Sequence, residues 1–125
     1  MSNKPLQILT VSMSRHLTGH PITDVITKNW SQAPEDQVHR FNNVGFDFDG
    51  NDIPGALAQL KETLAGHPWD GILVGWCIRG KPEYTVIFED VIALCTEFIR
   101  VKPASKIFFC TGPDNLVEAT LRNFP

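Results

Sequence analysis

Asp70-Gly71-Ile72-Leu73-Val74-Gly75-Trp76-Cys77-Ile78-Arg79-Gly80-Lys81-Pro82-Glu83 decides the fold of this chain: a short apolar run ends in a polar, glycine-bearing turn and passes into a long helical pattern. Ile72 to Ile78 is nearly continuous in apolar residues, the pattern of a strand covered on both faces in a parallel sheet. Such a strand feeding a helix also makes a place for a ligand, because ligands settle outside the carboxyl ends of parallel strands.

Downstream, Ile87, Val91, Leu94, Cys95 and Phe98 recur at helical spacing within a helix expected over about Glu83 to Arg100. Additional apolar residues beside that stripe predict packing on the sheet and against a second surface. Pro103 opens a connection to a fourth strand, Lys106 to Cys110, and Thr111-Gly112-Pro113-Asp114 turns the chain into a terminal helix carrying Leu116, Val117, Thr120, Leu121 and Phe124.

Upstream, Pro5 to Met13 reads as a first buried strand and Ile22 to Trp30 as helix-compatible. Val38 to Phe48 is strand-like, with a bulge or kink expected at Asn42-Asn43 and Gly45. Asp49-Gly50-Asn51-Asp52 is a turn whose last residue caps a helix tolerant of Pro54 in its first turn. Ala56, Leu57, Leu60 and Leu64 give that helix one apolar face, and Gly66-His67-Pro68 ends it. Strands alternating with helices imply right-handed parallel crossovers. The expected fold is an α/β three-layer sandwich around a four-stranded parallel sheet in the order 2-1-3-4, with the reversal between the first and third strands.

The 125 residues suit one domain, 1–125, and the 42% apolar and 20% charged fractions are those of a globular chain. A net charge of −3, with no basic block, argues against nucleic acid. No run approaches the roughly 20 apolar residues of a membrane helix, and Met1-Ser2-Asn3-Lys4-Pro5 lacks a secretory apolar core, so a cytoplasmic location is expected. Cys77, Cys95 and Cys110 form no closely spaced pair and read as free thiols, with Cys95 a core residue. The fourth strand would be an edge with no charge between Ile107 and Cys110, which raises self-association into a homo-oligomer.

Two loops carry the candidate chemistry. After the third strand, Trp76, Arg79, Gly80 and Lys81 face the turn containing Thr111 and Gly112, where Arg79 and Lys81 would meet a small anion and Trp76 would wall it. After the first strand, Ser12 and Ser14 offer hydroxyls and His16 a group that moves protons near neutral pH. The leading expectation is a binding domain for a small anionic metabolite. The alternatives are a small enzyme with His16 transferring a proton and Arg79 stabilising negative charge, or a non-catalytic oligomer. Cys77 beside Arg79 is a further nucleophile candidate. No metal is expected: Gly19 and Pro21 break the helix that His16 and His20 would need, and Asp47, Asp49 and Asp52 suit turns.

The architecture resembles flavodoxin-like proteins, whose phosphate loop after the first strand is similar to Ser12 through Thr18-Gly19, although the spacing here departs from that loop and no cofactor is assigned. The acidic pair and acceptor Asp of response-regulator receivers are absent. The later half, with Asp70 to Gly80, Pro82-Glu83, Phe88-Glu89, Thr111 and Pro113-Asp114, resembles small uncharacterised flavodoxin-like or Rossmann-like proteins of bacteria and fungi. That resemblance implies the fold and carries no activity. A nicotinamide site is not implied, because no Gly-x-Gly-x-x-Gly follows the first strand.

Overall fold

The computed structural model describes residues 4–125. Four parallel strands, β1 (Leu6–Ser12), β2 (Phe41–Asp47), β3 (Gly71–Val74) and β4 (Lys106–Phe109), pair in the order β2-β1-β3-β4. Around them run α1 (Ser14–Thr18), α2 (Ile22–Trp30), α3 (Glu35–Val38), α4 (Ile53–Ala65), α5 (Trp76–Arg79), α6 (Thr85–Val101) and α7 (Leu116–Asn123). A 3-10 turn, Pro82–Tyr84, leads into α6.

Side chains alternate across each strand, so the sheet divides its apolar residues between two layers. Leu9, Val11, Ile72 and Val74 pack against Ala56, Leu60 and Leu64 of α4 and Ile87, Val91 and Cys95 of α6. On the other face Ile8, Leu73 and Phe108 meet Ile22, Ile26 and Trp30 of α2 and Leu116 and Ala119 of α7. The result is the expected three-layer α/β sandwich. Val86 and Val101, at the two ends of α6, stand exposed outside the sheet contact.

Local chemistry sets the element ends. The Asp52 carboxylate accepts the Gly55 amide N–H at 3.1 Å and caps α4, with Pro54 in its first turn. At the amino edge of the sheet, Lys102 Nζ donates to the carbonyls of Pro68 and Trp69 and to Asp70 Oδ1. Asp70 Oδ2 in turn accepts the Gln7 amide at 2.7 Å, so one carboxylate joins β1, the start of β3 and the end of α6. Trp69, wholly buried, donates its indole N–H to the Thr63 carbonyl.

Three sequence expectations are corrected. The third strand stops at Val74 rather than Ile78: Gly75 is the N-cap of α5, and its amide donates to the Val11 carbonyl as the chain leaves the sheet. The second strand starts at Phe41, because Pro34 opens a helical turn that ends at Val38. It also carries no bulge, since Leu6 to Ser12 pair one for one with Phe41 to Asp47. Gly45 serves close packing instead: a Cβ there would fall 2.7 Å from Ile22 Cγ2.

Candidate functional site

The sheet's order reverses between β1 and β3, and at their carboxyl ends, on the α2/α7 face, lies a cavity of about 180 Å³. Thr10 and Ser12, on the same face of β1, line it together with Cys77. Ile22 and Val25 of α2 and Leu116 of α7 form apolar walls. Leu17 of α1 and Trp76 of α5 also line it and are among the few large apolar side chains left exposed, at 37% and 43%.

A hydrogen-bonded knot holds one end of this cavity. Ser12 Oγ lies 3.1 Å from Cys77 Sγ and accepts the Ser14 amide N–H at 3.0 Å, while the Met13 amide donates to the same sulfur at 3.2 Å. The chain leaves β1 through this knot into α1, where the Thr18 hydroxyl donates to the Ser14 carbonyl and the Ser14 hydroxyl to the His20 carbonyl. Gly19, at φ 80°, is the left-handed residue that ends α1, a conformation glycine adopts without steric penalty. Across the cavity, Asn29 of α2 ties down the β4–α7 loop: its amide donates to the Pro113 carbonyl and its oxygen accepts the Leu116 amide.

Of the residues expected from sequence, Ser12, Ser14, Trp76 and Gly112 line this cavity. Arg79 turns to its flank, where Nη2 donates to the Cys110 carbonyl at 2.9 Å and the guanidinium lies over the rings of Trp76 and Phe109. Its Nε is buried with no acceptor. Gly80 supports the indole, because a Cβ there would press into the Trp76 ring. Lys81 is exposed before the 3-10 turn, and Thr111 is occupied in a reciprocal bond with Asn115.

His16 and Arg79 are not brought together. The His16 ring lies against Gly50 after β2, whereas the Arg79 guanidinium sits at the end of β4, on opposite margins of the sheet. Asp47, Asp49 and Asp52 each accept a backbone N–H, from Ile22, Asn51 and Gly55. Among the described residues no group of three or more His, Cys, Asp or Glu side chains converges to hold a metal, and no helix is long and apolar enough to cross a membrane. The three cysteines are free; burial in the α4/α6 layer pushes the Cys95 thiol up to about 12.

Thr10, Leu17, Ile22, Val25 and Leu116 are the wall residues that the sequence reading did not single out. One signal for them was present: Thr10 and Ser12 are polar at i and i+2 of an otherwise apolar strand, which places both on one buried face. Comparison with known protein families, with curated proteins and with solved structures gives no match.

Proposed function

We propose that this chain binds a small molecule in the cavity between α2 and α7, with the ligand's apolar body against Ile22, Val25 and Leu116 and its polar end toward Thr10 and Ser12. The observation that supports this reading is the cavity's place: it lies where the strand order reverses, outside the carboxyl ends of β1 and β3. Its volume of about 180 Å³ falls below the ~300–1,000 Å³ of sites for drug-sized ligands, which favours a compact ligand of few heavy atoms. The flavodoxin-like resemblance is consistent with the same sheet edge.

A second reading, an anion held at Arg79, is favoured by the buried Nε that lacks an acceptor. With Nε enclosed beside the Trp76 and Phe109 rings, an acidic group would complete the guanidinium's bonding once the side chain shifts outward.

Titration of the isotope-labelled protein with cyclohexanone, followed by NMR, tests the cavity. Saturable shifts should cluster at Thr10, Gly75 and Gly112 and vanish in Val25→Phe, which fills the space. Shifts scattered over the surface, or a response unchanged by the filling substitution, would refute the reading.

A further inference from the structure

Thr10 is a polar residue placed where the fold offers it nothing. It is only 2% exposed, it lines the cavity, and among the described residues its hydroxyl makes no hydrogen bond. Arg79 Nε is the one enclosed side-chain nitrogen or oxygen without a partner among the described residues, so the Thr10 oxygen is open to the cavity, where its donor can meet an acceptor supplied from outside the chain. Ser12, the next residue on the same strand face and about 7 Å away by the rise of a strand, has its partners already. One of them is the sulfur of Cys77, held 3.1 Å away and also bonded by the Met13 amide at 3.2 Å. The cavity thus presents an unused donor and, beyond it, a positioned thiol.

Resting on the cavity reading above, we infer that the ligand is a small α,β-unsaturated carbonyl compound, its oxygen on the Thr10 hydroxyl and its β-carbon at Cys77 Sγ, and that Cys77 adds to it. The apolar walls accept the hydrocarbon part, and Thr10 and Cys77 line the same cavity. Bond formation between sulfur and the β-carbon moves the C=C pair onto the α-carbon and carbonyl oxygen, where the Thr10 hydroxyl stabilises the growing charge. The thiol proton finishes on the α-carbon. S–H and C=C are consumed, S–C and C–H are formed, and no oxidant or reductant takes part. Cys95 lies in the opposite layer, and Cys110, though it lines the cavity, is 3% exposed.

The test treats the full chain with 2-cyclohexen-1-one and follows adduct formation by intact and peptide mass spectrometry. One probe molecule should add at Cys77, ahead of Cys95 and Cys110, with a rate that saturates as the probe concentration rises. Thr10→Val, which keeps the shape and removes the hydroxyl, should raise the half-saturating concentration several-fold, and Cys77→Ala should abolish the adduct. Labelling spread over the three cysteines, a rate linear in probe, or indifference to Thr10→Val would overturn the inference. Cyclohexanone separates the two ideas: if the saturated ketone binds at the cavity and the enone forms no Cys77 adduct, this inference fails alone; if neither enters the cavity, the binding reading fails with it.

Discussion

Arg79 donates to the carbonyl of Cys110 at 2.9 Å, so the last turn of α5 is fastened to the end of β4 by a charged side chain rather than by sheet hydrogen bonds. The guanidinium carbon lies 4.9 Å from the Trp76 ring centroid and 5.3 Å from that of Phe109. The same residue therefore orients Trp76, which lines the cavity, and covers the edge strand. Arg79→Ala should cost about 1–3 kcal/mol, the value of a hydrogen bond to a charged group with a modest cation–π contribution. Urea unfolding measures the loss, and Arg79→Lys should recover only part of it, because an ammonium cannot lie flat between two rings.

Gly71 opens β3 in a space already filled. A Cβ there would approach Phe108 Cε1 to 2.8 Å and Ile8 Cδ1 and Phe124 Cε2 to 3.0 Å. Gly71→Ala should destabilise by about 1–3 kcal/mol through overpacking. Gly112, where a Cβ meets nothing within 4 Å, is the control, and Gly112→Ala should change stability by less than about 0.5 kcal/mol in the same denaturation series.

The buried Cys95 thiol gives stability a dependence on alkaline pH. Its ordinary value of 9.0 is raised to about 12 in the folded chain by burial. The folded state thus holds the proton more tightly, and this contribution is complete below pH 9.0 and is lost as pH rises toward 12. Between those values its slope is at most about 1.4 kcal/mol per pH unit. Stability curves measured across that window should fall more steeply for the natural chain than for Cys95→Ala; parallel curves would remove the thiol as the cause.

Lys102 and Asp70 form a half-buried pair at the amino edge of the sheet, and the lysine also satisfies two carbonyls. Lys102→Met keeps most of the aliphatic stem and removes three bonds at once. A loss of about 1–3 kcal/mol is expected from the charge-assisted bonds, although the Trp69 carbonyl keeps the Ser105 hydroxyl and Asp70 keeps the Gln7 amide. The exposed Arg100–Glu97 pair is the comparison: Arg100→Met should cost no more than about 0.5 kcal/mol and respond more to salt.

The fold was legible wherever local chemistry and burial agreed. Asp52, Pro54 and the Leu60/Leu64 stripe announce α4, and Ile22 to Trp30 matches α2 residue for residue. Legibility failed where an apolar run changes conformation without changing hydrophobicity. Trp76, Cys77 and Ile78 continue the strand's composition, yet the chain has already turned at Gly75, and periodicity cannot separate a buried strand from a short apolar helix. Gly45 misled in the opposite sense: it looks like a break in β2 and is the point where α2 comes nearest. For the site, the strand-end loops were visible and their facing was not. Arg79, Gly80 and Thr111 are spent on internal contacts, and Val25 and Leu116, read from sequence only as helix residues, instead form the walls. Which side of the sheet a loop serves is set by the crossovers, which no local pattern records.

β1, one of the two interior strands, is the earliest of the four in the chain, and its neighbour on one side, β3, begins at Gly71, 59 positions after β1 ends at Ser12. During synthesis, then, β1 waits with one flank open: β2 closes one side, and the other stays available until Gly71 to Val74 emerge. Every strand pairing joins distant segments, so zippering from a local hairpin is unavailable and closure entropy precedes any reward. A ribosome-bound chain halted after α4 would present the unpaired backbone edge of Ile8 to Val11 to any other extended segment nearby, which makes that interval of elongation the window in which misassembly begins.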